Sequence, residues 1–510
     1  MPLEPPAIEE RSYEQLVADA LARIPVHNPE WTNFNRSDPG VTLIELFAFL
    51  TESLSYRIAQ IPERNRRRYL SLLGVPLRAA ASATGIVAFA NERGPAETTV
   101  LARGLELRAG EVPFRTEHAL DVLPVEGRAF YKRILADPAP ELVDYYRQLY
   151  ASYGGETPES VEPQLYETVP LDDSGVELAR ETADGSLWIA LLARSGDPVE
   201  QARAQLAGRT LSLGWVPAVG EPAESRGPPR RGRAPPRAPR QLQLPRPPAG
   251  GLPPDPAART PAYRTLESSP STDVLVGPGV VEASLPDKDE LRMWEDLDPL
   301  ELGVGELPPA LEDERLTARL VTWLRVRAPG SDSARVLWAG VNAAMVRQRE
   351  RVAGELVGRG DGEPDQAFRL ARTPVLPGSV RLTVQADPPG GEVEAWEEID
   401  DLLAAGPEVP VEDPAAPPGA PAPPRGPAKV FALDPEAGAI RCGDGERGFR
   451  PPRDALIRAD YDVSRGRGGD VGPGAIGAGP GLPPGFKASN PVRTWGGADA
   501  ETVAEGEKRV

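Results

Sequence analysis

Apolar side chains recur at helical spacing close to the amino terminus. Leu16, Val17, Ala20, Leu21 and Ile24 follow Ser12 and Gln15, a pair placed three apart as a capping box requires. The pattern predicts a helix that stops at Pro25, because proline lacks the N–H that the helical ladder uses. A polar stretch, NPEWTNFNRSDPG, comes next and ends in Asp38-Pro39, an N-cap carboxylate before a proline at the first helical position. Beyond it Leu43, Phe47, Leu50, Leu54 and Ile58 step by four, three, four and four residues. That spacing predicts a second helix with one apolar stripe buried against its neighbours, while Glu45, Glu52 and Arg57 fall elsewhere on it. Pro62 interrupts the pattern, ERNRRRYLSLL resumes it, and Gly74 is placed as a C-terminal cap. The start of the chain therefore reads as a helical hairpin or small bundle.

From about Thr84 the texture changes to short β-prone runs, GIVAFA, TTVLA, VPFRT and LWIALL, separated by Gly, Pro and Asn. In the stretch RGPPRRGRAPPRAPRQLQLPRPP seven arginines occur from Arg226 to Arg246 with no acid among them, and with its flanks it reads as a connector with nothing to build a core. Strand patterns return in ARLVTWLRVRA, ARVLWAGVNAAMV and VRLTVQA; EVEAWEEIDDLLAAG reads as a short helix; and KVFAL, AIRC and ALIRADYDV follow a proline-rich loop. Cys442-Gly443-Asp444-Gly445 lies between two of these runs, where Asp-Gly favours a tight hairpin turn. The expected fold class is α+β: a helical N-terminal docking unit at 1–80, a β-rich module at 81–219, an Arg/Pro-rich linker at 220–262, a second α+β module at 263–405, a Pro-rich loop at 406–428 and a β-rich segment at 429–510.

At 510 residues the chain is long enough for about three domains of roughly 150 residues each. Its 57 basic against 76 acidic side chains leave a net charge of −19, which argues against wholesale binding to nucleic acid or to an anionic membrane. Cys442 is the single cysteine and His27 and His118 are the two histidines, so an intrachain disulfide, a thiolate cluster and most imidazole chemistry are excluded. Sixty prolines and 51 glycines exclude a compact all-helical bundle. MPLEPPAIEE is not a secretory signal, and no apolar run reaches the roughly 18–20 residues of a bilayer span. The expectation is a protein that stays where it is made, cytoplasmic on synthesis.

Few residues suggest chemistry. Glu45 and Glu52, seven apart on one helix, are spaced as an acid/base pair but more simply as solvated or ion-paired carboxylates of its polar face. Asp38 is a helix cap. GRGDGEPD at 358–365 lacks the glutamate that completes a calcium loop, and it and GDGERG at 443–448 read as glycine turns. The arginine-proline stretch lacks interleaved aromatics for base stacking and suits a solubilising or docking insertion. Trp31, just ahead of a capped helix, is either a staple onto the hairpin or an anchor for a partner. Trp323 and Trp338, inside strand patterns, read as core. No enzyme, cofactor or metal site is suggested.

Several segments together resemble one family. PEWTNFNRSDPGVTLIELFAFLTESLSYRIAQIPERNRRRYLSLLGV at 29–75 is similar to the amino-terminal signature of baseplate J-like wedge proteins of contractile phage tails and related injection systems. VNAAMVRQ and GRGDGEPDQAFRLARTPVLPGSVRLTV, with Gly362, Gln366, Phe368 and the run Pro374 to Ser379, resemble the family's middle. AIRCGDGERGFRPPRDALIRADYDVSRGRGGDVGPGAI and ASNPVRTWGGADAETV resemble its Gly-Asp-Gly, Pro-Pro and Asn-Pro elements, with Cys442 where an aromatic is commoner and Asp470 where Asn is commoner.

The resemblance implies a structural subunit without catalytic residues. It also implies sixfold placement around a central spike and hub, a link to the sheath, and a further segment beyond Val510. Implied partners are other wedge subunits (a second copy or a related protein), the spike or hub protein, a small baseplate protein and the sheath. Nucleic acid and direct membrane insertion are not expected. The hairpin supplies the interface candidates: Trp31, Phe34, Asp38, Pro39, Leu43, Phe47, Leu50, Leu54, Tyr56 and Arg57. The alternative reading is a tail-associated glycan-binding or cell-wall-degrading protein.

Overall fold

The computed structural model describes residues 12–35, 37–154, 157–160, 162–163, 165–218, 241–246, 262–271, 273–274, 277–294, 306–327, 335–386, 390–409, 427–477 and 479–510, with their side chains except those of 55–65, 68, 71, 150, 153, 154 and 160. Most of the arginine-proline stretch and of the loop at 406–428 lies outside the described residues. The fold is mixed α+β with a helical pair at its amino terminus. Two compact units are each drawn from separated stretches: Met1–Ala81, Ala353–Tyr461 and Asp499–Val510 form one, and Ser82–Val352 with Asp462–Ala498 the other.

In the first unit, helix α1 (Tyr13–His27) opens on the expected capping box, the Ser12 hydroxyl and the Gln15 side chain each accepting the other's backbone N–H. It does not stop at Pro25. A proline in the last turn removes one ladder bond, and the Asn28 N–H still reaches the Ile24 carbonyl at 2.7 Å. Helix α2 (Pro39–Leu72) likewise runs on through Pro62, a single 34-residue helix where the sequence reads as two pieces. It ends as expected at Gly74, whose φ of 72° lets the Val75 N–H return to the Leu70 carbonyl at 3.0 Å. The helix Val503–Glu507 closes the far end of α2. Arg66 pairs with Glu507, and Gly506 lies so close to Leu77 that a Cβ there would come within 2.5 Å of its Cδ2.

A seven-stranded sheet, all but the residues 350–352 and 462–463 of which belong to this unit, runs, in spatial order, Glu350–Arg359, Leu456–Val463, Arg381–Gln385, Val393–Glu398, Val430–Asp434, Ala439–Cys442 and Ala367–Arg369. Two expectations fail in it. Val393–Glu398 is a strand with Trp396 buried opposite Leu382, and only Leu402–Ala404 makes a helical turn, because pairing on both sides overrides the helix propensity of Glu and Ala. Asp444-Gly445 does not join a hairpin either. Ala439–Cys442 pairs with Val430–Asp434 and Ala367–Arg369, and the Asp444 carboxylate instead accepts the N–H groups of Arg447 and Glu446 at 2.7 and 2.9 Å. Those bonds, Arg447 foremost, hold its pKa below the ordinary aspartate value.

Among the described residues the second unit contains three larger sheets. One has the order Tyr263–Thr265, Gln241–Pro245, Leu320–Arg327, Ser186–Ala193, Val125–Ile134, Tyr166–Pro170. A four-stranded sheet around Thr210–Pro217 shares its apolar core, in which Ile189, Leu191, Leu211, Leu213 and Val281 are fully buried. Gln241–Pro245 lies inside the stretch read as unable to build a core. Its Leu242 and Leu244 are buried all the same, because alternation of Gln and Leu fits a strand between two partners. Trp323 is core as expected, whereas Trp338 is half-buried and packs against Gly214 and Gly340.

Asn342 divides ARVLWAGVNAAMV into Val336–Val341, in the four-stranded sheet, and Ala343–Gln348, in a five-stranded one. Its φ is 55°, its Oδ1 accepts the Leu123 N–H and its Nδ2 donates to the Leu123 carbonyl, both at 2.9 Å. Asn342→Leu loses both bonds inside the core and forces a branched side chain into the left-handed region. The expected loss is about 3 kcal/mol, read from the urea unfolding midpoint. A loss under about 1 kcal/mol contradicts that role.

Candidate interaction surface

The entry to α2 is built as its sequence dictates. The Asp38 Oδ1 accepts the N–H groups of Gly40 and Val41 at 2.8 and 3.3 Å, and Pro39 takes the first helical position, where an N–H has no partner to lose. Trp31 donates its indole N–H to the Asn33 carbonyl at 2.9 Å and lays its ring on Gly40. A Cβ at residue 40 would sit 2.4 Å from the ring. The structure therefore uses Trp31 as a staple on its own helix. Phe34, with its ring centroid 6.3 Å from that of Trp31, stays open to solvent.

The stripe along α2 is where the expectation fails. Leu43, Phe47, Leu50 and Leu54 are between 53% and 67% exposed, and the residues α2 buries in its first half are the smaller Val41 and Ala48. Helical periodicity identifies an apolar face without naming what covers it. Leu46 and Phe49, absent from the sequence-level candidates, are exposed as well and line a groove of about 540 Å³ with Tyr13, Thr42, Glu45 and Glu52. The signal was in the run LIELFAFL, apolar at seven of eight positions, which is more apolar surface than one neighbouring helix covers. Glu52 accepts the Tyr13 N–H at 2.7 Å and so helps to cap α1. The side chains of Tyr56 and Arg57 lie outside the described residues.

A second group escaped sequence reading entirely. Lys132 and Asp184 form an ion pair at 2.9 Å with side chains 1% and 5% exposed. Lys132 also donates to the Leu307 carbonyl at 3.1 Å, and Asp184 Oδ2 accepts the Trp188 indole N–H at 2.9 Å. Arg325, equally buried, donates to Ser186 Oγ at 2.9 Å and lies over the rings of Tyr263 and Trp188 at 4.8 and 5.3 Å. Burial pulls the Lys132 pKa below the ordinary lysine value against the pull of Asp184, and burial pushes the Tyr263 phenol up. Arg325 and Arg327 pair with Glu306 at 3.4 Å each, and Tyr263 donates to the Glu306 carbonyl. Cys442, buried, has its thiol pushed up to about 12 by desolvation, outside the range of a reactive thiolate. Among the described residues no helix is long and apolar enough to cross a membrane.

No protein-family model matches the chain, and no curated protein does. Among solved structures it is similar to a chain of the type VI secretion system TssK-TssF-TssG baseplate subcomplex, at 11% identity and a TM-score of 0.36, over 89% of this chain and 74% of that one.

Proposed function

We propose that this chain is a structural subunit of the baseplate wedge of a contractile injection system, joining the central spike and hub to the sheath and shifting when the sheath contracts. The observation that carries the reading is the apolar face of α2. Monomeric soluble proteins seldom leave this many large apolar side chains side by side in water, and such patches mark places where another protein binds. The distributed resemblance of 29–75, the middle segments and the end to baseplate J-like proteins names the class of partner: fellow wedge subunits, the spike or hub, a small baseplate protein and the sheath. The reading takes the chain as a non-enzymatic component of the particle, made in the cytoplasm and acting by assembly. Packed modules that meet through discrete interfaces suit a plate that widens in one step.

The test is co-sedimentation. With particle components co-expressed, the full chain is expected to sediment with sheathed particles and to appear at their spike-proximal end in micrographs. Deletion of residues 29–75 is expected to leave it in the supernatant. A deleted chain that keeps every baseplate contact, or a full chain that never leaves the monomer fraction, refutes the reading.

A further inference from the structure

The chain is strongly acidic, yet arginines from separate strands converge at one edge of the five-stranded sheet. In its register Glu106 lies opposite Arg115, and Arg108 is two residues along the same strand, so the three side chains share a face. Arg351 and Arg465 complete a cleft of about 370 Å³ with them, and every residue lining it but one is charged. That volume is at the small end for a ligand pocket.

Glu106 is already engaged on both oxygens. Its Oε1 accepts from Arg108 Nη2 at 2.8 Å and its Oε2 from Arg115 Nη2 at 2.6 Å, while Arg115 Nη1 donates to the Gly104 carbonyl at 3.1 Å. These bonds fix two guanidinium groups before any ligand arrives. Arg465 is held less tightly, with Glu350 at 3.9 Å, well beyond the roughly 2.7–2.9 Å of a charge-assisted hydrogen bond. The cleft thus offers a preset pair of cations and a third whose fork is still able to turn toward a new acceptor.

We propose that this cleft binds an acidic segment of a partner protein, through Asp or Glu carboxylates that pair first with Arg465 and with the preset Arg108 and Arg115, while Arg351, already 3.9 Å from the Asp462 carboxylate, adds its charge at the rim. A nucleic acid fits less well. Glu111 and two further glutamates stand among the arginines and would repel a continuous run of phosphates, whereas carboxylates spaced along a peptide interleave with them. This inference stands apart from the apolar face of α2 and does not depend on it.

The probe is a fluorescein-labelled hexapeptide of alternating aspartate and glutamate, followed by anisotropy on the full chain. Saturable binding is expected at about 20 mM salt and much weaker binding at about 200 mM, as for any charge-driven contact. R465Q is expected to weaken it about tenfold, the worth of one hydrogen bond to a charged group. R351Q/R465Q is expected to abolish it. Arg465 is exposed and its ion pair is long, so R465Q should melt with the parent. No binding of the peptide at low salt, unchanged binding by R465Q, or displacement of the peptide by an unlabelled oligothymidylate of equal charge overturns the proposal.

Discussion

Asp184→Ala is expected to destabilise the protein by about 3–5 kcal/mol, the largest single-residue effect anticipated on folding. The carboxylate accepts from Lys132 and from the Trp188 indole, both fully buried, so its removal strands a cation and a donor in the interior. The loss should appear as a lower urea midpoint with an unchanged slope. Replacing both partners, Asp184→Leu with Lys132→Met, is expected to recover most of it, because an apolar pair of similar volume removes the charge together with its counter-ion. The deficit of the single variant also depends on pH. Folding depresses the Lys132 pKa, so between that value and the ordinary value of about 10.4 the unfolded chain binds more protons than the folded one, and stability rises with pH. Without Asp184 the depression deepens, and the gap to the parent should narrow as pH approaches 10. A single variant within about 1 kcal/mol of the parent at pH 7 would show that the pair is not structurally required.

That pair also marks the limit of what the sequence discloses. Runs such as VPFRT, LWIALL and KVFAL were legible as strands because β-branched and aromatic side chains crowd them, and the boundaries at Ser12, Asp38 and Gly74 were legible because capping chemistry is local. Long-range facts were not. Lys132 meets Asp184 through a sheet whose register no local pattern encodes, and Gln241–Pro245 becomes a core strand only because Leu320–Arg327 waits for it on one side. Trp396 draws an acidic, helix-prone segment into a strand for the same reason. At the candidate surface the apolar stripe of α2 was legible, and what fails is the expectation that its own chain buries it. Hydropathy reports that a face avoids water, and says nothing of whether the cover comes from the same chain.

The charge variant Phe47→Glu with Leu50→Glu turns that distinction into a measurement. If a partner covers the face, each half-exposed side chain of the set Leu43, Leu46, Phe47, Phe49, Leu50 and Leu54 contributes about 1 kcal/mol on burial. Over six side chains that is about 6 kcal/mol, set against the substantial cost of association. Two glutamates forfeit their own share and bring carboxylates that must be desolvated without partners, at a further cost of at least about 2 kcal/mol. At 1.4 kcal/mol per factor of ten, the complex should weaken by two or more orders of magnitude. Folding should be spared or improved, because both positions face solvent in the isolated chain and α2 keeps its caps and its contact with the C-terminal helix. The expected result is a variant that melts at or above the parent temperature, stays monomeric in sedimentation and is missing from co-sedimented particles. The Lys487→Glu control reverses an exposed charge on a separate strand and should incorporate normally. Incorporation of the double glutamate variant at parental levels would show that the apolar face of α2 is not where this subunit is held.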